Sequence, residues 1–274
     1  MTLYTSTVVV PRKRSRVWAT IGQNTAYALG LPILLVVIWG VWATVSPERF
    51  FPPPMTIVEA FVDTWIGPRL WNDVLPSLGR LFFGVLFSIA VGVGAGIVIG
   101  RVRWLRELLN PMLEFFRAVP PPVLIPIIAV LLGPTDAMKV TVIVVGAIWP
   151  VLLNTIDGVR ATDSVMTETA RSFSLTRAEQ LRYLVLPAAS PRIMAGVRQA
   201  LSIALILMVI SEMFYSSSGL GYQIVYFQRN YLIAQMWSGI LLLGLIGVLL
   251  AAIFGVVERR VLRWYHGIKE VERV

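Results

Sequence analysis

Long apolar runs are the feature of this 274-residue sequence that most limits its possible folds. A segment that crosses a bilayer needs about 20 consecutive apolar residues, and a helix satisfies its backbone hydrogen bonds internally. The sequence is 57% hydrophobic and 14% charged, with a mean hydropathy of +0.75, whereas soluble domains are about a quarter charged. We therefore predict an all-α integral membrane protein with six spans, at about 27–45, 79–100, 118–133, 138–157, 193–213 and 237–257.

The distribution of basic residues predicts how these spans are oriented. With a cytoplasmic N-terminus, nineteen of the 24 Lys and Arg residues fall on the inner side. The positive-inside rule then makes both termini cytoplasmic, with tails at 1–26 and 258–274 and a cytoplasmic loop at 158–192. The net charge of +9 indicates topology rather than nucleic-acid binding. The five remaining basic residues are Arg49, Arg69, Arg80, Lys139 and Arg229.

Few side chains could support catalysis or hold a metal ion. Cysteine is absent, and the single histidine, His266, lies in the basic C-terminal tail. The sequence lacks the G-x-S-x-G, H-E-x-x-H and Walker A signatures. We therefore predict a protein that is not an enzyme and has no cofactor or metal of its own. Any ATP and Mg would be used by another chain.

Two local patterns predict helix packing and a surface helix. The second span contains Gly84, Ser88, Gly92, Gly96 and Gly100 at intervals of four, a small-residue stripe that allows two helices to approach closely. Earlier, three consecutive prolines precede a T-x-x-E pattern, which predicts a capping box and a short amphipathic helix at the outer membrane surface. The pattern is formed by Thr56 and Glu59.

The third span is interrupted by prolines. Four of them lie between residues 120 and 126, and a helix facing lipid does not tolerate the carbonyls that they leave unpaired. A bent helix that lines a translocation path is the preferred interpretation, and a structural kink is the alternative. The candidate path residues here are Pro120, Pro121 and Pro122.

The end of the fifth span carries an acidic residue and a glycine-rich loop. An acid within a span is a candidate functional residue, but Glu212 is close enough to the span's end to reach the interface instead. The following "SSSGLGY" includes Gly219 and Gly221 and is interpreted either as an outer gate or as an ordinary tight turn.

A polar stretch between the fourth and fifth spans resembles a known motif. It reads "ETARSFSLTRAEQLRYLVLP", and we expect a helix, a turn and a second helix that stops before Pro187. It resembles the EAA loop of ATP-binding-cassette (ABC) importer permeases, the element that docks on the ATPase in that family. Thr169, Ser174 and Leu184 depart from the family's alanine, glycine and isoleucine. The matching positions are Glu168, Thr169, Ala170, Ser174, Leu184, Leu186 and Pro187.

Further motifs place the resemblance in the nitrate/sulfonate/taurine branch. "FFPPPMTIVEAF", "SLGRLFFG", "RAVPPPVLIP", "EMFYSSSGLGY" and "VERRVLRWY" occur in the order of that branch, although "AVLLG" replaces its usual aromatic W-F-G. The resemblance implies a six-helix type I importer permease in the bacterial plasma membrane. It also implies a second permease copy, two cytoplasmic ATPases and an extracytoplasmic solute-binding protein. A secondary transporter or channel without an ATPase is the alternative, and the sequence does not identify the solute.

Overall fold

The structure, a computed structural model, describes residues 14–45 and 50–265. Across these residues it contains helices and no strand, which confirms the predicted all-α class. His266, Arg49 and the N-terminal tail as far as residue 13 lie outside the described residues. The chain divides into two units, Met1–Glu59 and Ala60–Val274. The helices are α1 Arg14–Val45, α2 Pro54–Trp65, α3 Leu75–Arg101, α4 Arg103–Ala118, α5 Ile125–Leu132, α6 Asp136–Arg160, α7 Ser164–Ser172, α8 Arg177–Gln180, α9 Leu186–Phe214, α10 Leu220–Arg229 and α11 Ile233–Val261.

The predicted capping box at the start of α2 is wrong. The helix begins at Pro54, so Thr56 is already its third residue and cannot be the N-cap. The Ile57 N–H donates instead to the Pro53 carbonyl oxygen at 3.4 Å. Proline suits the first helical position because that position needs no N–H donor and proline's φ is already helical. The prolines that end the preceding segment therefore also start this helix.

The core of the second unit is formed by α3, α6 and α9. Helices α3 and α6 run parallel, because Gly84 lies against Ile143 at one end and Gly100 against Val159 at the other. Helix α9 runs antiparallel to α6, and α11 runs antiparallel to α9 in turn. The connections from α3 to α4, from α6 to α7 and from α8 to α9 therefore lie at the same end of the unit.

The small-residue stripe of α3 is a helix-packing surface, as predicted. A Cβ atom added to Gly96 would lie 2.6 Å from the Thr155 Cβ atom, and one added to Gly92 would lie 3.0 Å from the Val151 Cβ atom. Both distances are shorter than ordinary carbon contacts, so glycine is required for the observed approach of α3 to α6. Ser88 lies on the same face and is fully buried.

The predicted third span is not one helix. Helix α4 occupies residues that the sequence assigned to an inner loop, and a bend of 88° separates it from the segment Pro121–Leu132. A 3-10 turn, Pro121–Leu124, leads into α5. Because α3 and α6 are parallel, the chain between them must return along the length of the unit. The bent pair makes this return, and the prolines allow the bend because they remove backbone donors.

Helix α9 starts earlier than predicted. The second helix of the polar stretch does not stop before Pro187, because a π-helical turn, Leu181–Val185, joins α8 directly to α9. The Leu186 N–H bonds to the Leu181 carbonyl oxygen across this turn. A wide turn changes the hydrogen-bond register just where proline lacks a donor, so the helical path continues. The π-helical turn Leu70–Val74 precedes Pro76 in the same way.

Four helices within the described residues are long and apolar enough to cross a membrane, or five if the bent pair forms one span. The apolar part of α1, Gly30–Val45, is shorter than these. The predicted total of six spans therefore stays a prediction. The four helices are Leu70–Arg101, Asp136–Arg160, Arg177–Phe214 and Ile233–Val261.

Candidate functional site

The first candidate site is the polar connection between α6 and α9, residues 163–187, which we call the coupling segment. It contains α7, a turn, α8 and the π-helical turn. Asp163 begins it as the N-cap of α7, where its carboxylate accepts a hydrogen bond from the Val165 N–H at 2.8 Å. Its other end continues into α9 without a break. The segment is therefore attached at both ends to core helices.

The turn after α7 is closed by two backbone hydrogen bonds. The Ser174 N–H donates to the Arg171 carbonyl oxygen at 2.8 Å, and the Leu175 N–H donates to the Ala170 carbonyl oxygen at 3.1 Å. This pair of bonds is a Schellman motif, which places the first residue after the helix cap in the left-handed region. Ser174 has φ +56°. The structure thus explains why the related EAA motif has glycine at this position.

Substitution of Ser174 is expected to depend on the left-handed backbone. Ser174→Val should destabilise the turn by about 1–2 kcal/mol, because a β-branched residue is strained at positive φ. Ser174→Gly should not, because glycine adopts this conformation readily. Hydrogen exchange of the Leu175 amide measures the effect, with faster exchange expected only in the valine variant. Equal exchange rates in the two variants would contradict this account of the turn.

A capping box that the sequence analysis missed begins α8. The Thr176 hydroxyl accepts from the Glu179 N–H at 3.3 Å, and the Glu179 carboxylate accepts from the Thr176 N–H at 2.8 Å. The signal was present as T-x-x-E at residues 176–179, the pattern that was assigned to Thr56 instead. The turn therefore has a capped helix on each side, which holds the coupling segment in a defined shape.

The residues that match the EAA motif differ in exposure. Glu168 and Thr169 are exposed on α7, whereas Ala170 is only 7% exposed and packs inward. The later members of the motif are half-buried around the π-helical turn: Leu184, Leu186 and Pro187. The motif thus combines an exposed polar surface with an apolar base. This is the arrangement that a docking element requires.

The second candidate site lies at the opposite end of the helix core. It consists of Asp73, Ser77, Arg80 and Glu212, which we call the buried polar cluster. All four side chains are at least nine-tenths buried. Arg80 Nη1 lies 2.6 Å from Glu212 Oε1, and the Ser77 hydroxyl donates to the same carboxylate at 2.7 Å. The cluster therefore links the start of α3 to the end of α9.

Glu212 is enclosed by other groups of the protein, and whether it lies at the depth of the membrane interface stays a prediction. Its side chain is fully buried. A carboxylate is costly to bury unless it is paired and hydrogen-bonded, and here it has an arginine, a serine hydroxyl and a backbone N–H as partners. The third partner is the Gly221 N–H, which donates to Glu212 Oε2 at 3.0 Å. An acid within a membrane span is usually expected to have a functional role, and for Glu212 that role stays a prediction.

The "SSSGLGY" loop is bound to the cluster through its backbone. The Gly219 N–H donates to Asp73 Oδ1 at 2.8 Å, and the Leu220 N–H donates to Ser77 Oγ at 3.0 Å. Gly219 has φ +114°, and an added Cβ atom would lie 2.5 Å from Glu212 Cδ. Only glycine fits this backbone and this contact. The carboxylates also satisfy the unpaired N–H groups at the start of α10.

Arg80 and Lys139 were counted as basic residues on the outer side, but both are buried, at 6% and 3% exposure. Arg80 also contacts Asp136, with Nη2 2.8 Å from Oδ1, and Lys139 Nζ lies 3.5 Å from the same oxygen. Sequence analysis missed this network because Arg80 is far from both of its acidic partners in the chain. The sequence did contain one indication of this network, because Arg80 and Lys139 both lie within apolar helices.

The prolines of the bent segment contact the core helices. Pro120 is exposed, whereas Pro121 and Pro122 are half-buried. A Cβ atom added to Gly146 would lie 2.9 Å from Pro121 Cβ and 2.1 Å from Leu207 Cδ1. Gly146 therefore lets Pro121 pack against α6 next to α9. The bend is confirmed, and its role in lining a path stays a prediction.

The sequence matches the family described as "binding-protein-dependent transport system inner membrane component" over residues 88–263, more than half of the chain. The chain belongs to this family. It is the multi-pass permease subunit of an ABC importer, and ATP hydrolysis takes place in a separate ATPase subunit. The alternative of a transporter or channel that works without an ATPase is therefore set aside.

The permease has relatives of the predicted branch. It is 30% identical to an aliphatic sulfonates transport permease of Bacillus subtilis, over 85% of this chain and 86% of the relative. It is 26% identical to the taurine transport permease of Escherichia coli, over 89% and 92% of the two chains. It is 27% identical to a nitrate import permease of Leptolyngbya laminosa, over 89% and 91%. The nitrate/sulfonate/taurine branch is confirmed.

Solved importer structures share the fold of this permease. A chain of the MetNI methionine ABC transporter, in an inward-facing conformation, matches with a TM-score of 0.58 and 21% identity, over 69% of this chain and 94% of the other. A chain of an amino acid ABC transporter matches with a TM-score of 0.53 and 18% identity, over 75% and 96%. These matches concern the fold alone.

Proposed function

We propose that the permease imports a small oxyanion of the sulfonate, taurine or nitrate class, delivered by a binding protein. The names of the relatives support this class of solute. The coupling part of the proposal rests on the structure of the coupling segment, an exposed helix–turn–helix that is attached to α6 and α9. Such a rigid element transmits force between an ATPase and the membrane helices without catalytic residues of its own.

The proposed assembly contains two copies of this permease, two ATPase subunits and one binding protein. ATP and Mg bind to the ATPase subunits. Both termini and the loop at 158–192 face the cytoplasm of a bacterial cell, and six spans cross its plasma membrane, with the bent pair as the third. This orientation is supported by the arginines that gather at the end of the unit where the coupling segment lies. They include Arg101, Arg106, Arg160 and Arg171.

In the proposed cycle, closure of the ATPase dimer moves the coupling segment and therefore α9. Because α8 joins α9 through a continuous helical path, displacement of the segment tilts the helix that carries Glu212 at its far end. Glu212 contacts Gly219 and Gly221, so movement of α9 reaches the proposed gate loop directly. Pro120, Pro121 and Pro122 form the bend that lines the path beside α6.

Glu168→Ala tests the docking role of the coupling segment. We expect the complex to remain assembled in the membrane, because Glu168 is exposed and lies outside the apolar helices. We expect the stimulation of ATPase activity by loaded binding protein to fall about tenfold, because a charge-assisted contact contributes about 1.5–3 kcal/mol. The measurement uses the complete complex in proteoliposomes, with and without loaded binding protein.

The matched control for this substitution is Glu107→Ala. Glu107 is an exposed carboxylate near the same end of the unit, but it lies outside the coupling segment and pairs only with exposed Arg103 at 2.8 Å. Exposed ion pairs contribute little. Equal stimulation in the two variants would mean that the segment is a solvated connector.

The orientation is tested by single cysteines in this cysteine-free chain. Arg177→Cys places a thiol in the coupling segment, and Ser217→Cys places one in the gate loop, and both positions are exposed. An impermeant thiol reagent added to intact cells should label Cys only at position 217, and labelling at 177 should require broken membranes. The reverse pattern would overturn the proposed topology.

A further inference from the structure

A cavity of about 420 Å³ lies where the ends of α3 and α6 meet the coupling segment. Four arginines from different parts of the chain line it. Arg101 ends α3, Arg106 lies near the start of α4, Arg160 ends α6 and Arg171 lies near the end of α7. Thr167 and Arg171, one helical turn apart on α7, place the cavity beside the helix that carries Glu168.

The positive charge in this cavity is poorly balanced. Arg160 has one distant carboxylate, with its Nη1 atom 3.9 Å from Asp157 Oδ1. In the part of the chain that the structure describes, no carboxylate lies within ion-pair distance of Arg101, Arg106 or Arg171. Four guanidinium groups around one cavity repel one another, and an anion bound between them would relieve that repulsion.

The helix ends explain why each arginine lies near the cavity, but not why four of them line one cavity. A cation is stabilised near a helix C-terminus, which suits Arg101 and Arg160. Arg106 lies in the first turns of α4, where the dipole disfavours a cation. Its Nη1 atom donates to the Gly100 carbonyl oxygen at 3.1 Å, which holds the guanidinium at the cavity. Gly100 lies in the last turn of α3, so Arg106 caps that helix and brings its positive charge to the same helix end as Arg101.

An unused hydroxyl provides a second, independent observation. Thr162 lines the same cavity, and its Oγ1 atom is buried without a hydrogen-bond partner among the described residues. A buried hydroxyl without a partner is costly, and rotation of the Thr162 side chain toward the cavity would let a polar ligand satisfy it. The combined lining offers guanidinium and hydroxyl donors. Phosphoryl and sulfonyl groups accept hydrogen bonds from arginine in bidentate geometry.

We propose that this cavity binds one phosphoryl or sulfonyl group, and that the bound anion ties the coupling segment to the ends of α3 and α6. The anion would be the head group of a phospholipid or a soluble oxyanion, since both present the same chemistry. By bridging Arg171 to Arg101 and Arg160, it would restrict the movement of α7. Binding does not depend on the identity of the transported solute, so failure of the proposed transport function would leave this site unaffected.

The test measures thermal unfolding and hydrogen exchange of residues 163–180 in the purified, nucleotide-free complex. One arm titrates inorganic phosphate in detergent, against chloride at equal ionic strength. The other arm uses nanodiscs of phosphatidylcholine with or without phosphatidic acid. We expect slower exchange and a higher unfolding temperature in at least one arm. An effect in the first arm identifies a soluble oxyanion, and an effect only in the second identifies a lipid.

The variants decide whether the effect arises at this cavity. Arg101→Gln with Arg171→Gln should weaken the effect by about tenfold or more, because each charge-assisted contact is worth that much in affinity. Thr162→Val, a nearly isosteric change, should weaken it by a smaller factor and keeps the test valid if the double variant does not fold. The matched control, Arg177→Gln, removes an exposed arginine of the coupling segment that does not line the cavity.

Two results would overturn the proposal. The first is that neither phosphate nor phosphatidic acid changes exchange or unfolding of the unsubstituted complex. The second is that the double variant and Thr162→Val respond as strongly as Arg177→Gln, which would place the response elsewhere on the basic surface.

Discussion

Glu212→Ala is expected to destabilise the permease by about 3–5 kcal/mol, the usual consequence of removing one partner of a buried ion pair. Arg80 would keep one carboxylate, that of Asp136, whose side chain is 72% exposed, and the Ser218 carbonyl oxygen at 3.5 Å. The Gly221 N–H and the Ser77 hydroxyl would each lose the buried carboxylate that accepts from them. The gate loop would lose its attachment to α9, so import should fall together with stability.

The measurement is the unfolding temperature and the yield of the assembled complex after extraction from the membrane. Glu212→Gln should have a smaller effect, since its amide oxygen can still accept some of these hydrogen bonds, although the NH2 group cannot accept and the side chain no longer pairs with the arginine charge. The matched control is Glu258→Ala, which removes the partner of Arg198. That arginine is 63% exposed, so the control should change stability by about 1 kcal/mol or less. If Glu212→Ala were as stable as the control, the cluster would not hold α3, α9 and the loop together.

Gly96→Leu is expected to separate α3 from α6 and to lower the yield of folded permease. A Cβ atom at this position would lie 2.6 Å from Thr155 Cβ and 3.0 Å from the Leu152 carbonyl oxygen. The second contact is with backbone, so no change of rotamer can relieve it. Overpacking of this kind costs about 1–3 kcal/mol and occasionally more. Gly92 and Gly100 make close contacts with α6 on either side of this one, so a local shift of the helix cannot relieve it.

The same helix offers a matched control for this substitution. Gly94 lies two residues away, and a Cβ atom added there has no atom within 4 Å. Gly94→Leu makes the same chemical change on an exposed face of α3, where leucine is compatible with lipid. We expect normal yield and normal import from this variant. Similar losses in both variants would show that leucine disturbs the helix itself rather than its packing.

The docking surface of the coupling segment could be predicted from sequence because it is local. Its motif lies within twenty consecutive residues, and both the exposed Glu168 and the left-handed turn at Ser174 follow from short-range rules. The predicted helix end at Pro187 failed for a local reason as well. The turn before Pro187 is π-helical, so the position without an N–H donor is accommodated and the helix continues.

The small-residue stripe of α3 was also visible in the sequence, because a period of four places its members on one helical face. The sequence did not say which helix packs there. That partner, α6, follows from the parallel arrangement of the two helices and from the return of the chain through the bent pair. A bend could be expected near the prolines, but its angle of 88° could not.

The sequence by itself determined the membrane class, the packing stripe and the coupling motif, since each depends on residues close together in the chain. Only the tertiary structure determined which partners the isolated charges have. Glu212 lies 132 residues from Arg80 in the sequence, yet their charged atoms are 2.6 Å apart. The arginines around the cavity are equally dispersed. A charged side chain in an apolar helix must either pair with another group or reach water. The packing of the helices determines which of these occurs, and the sequence does not show which helices are neighbours.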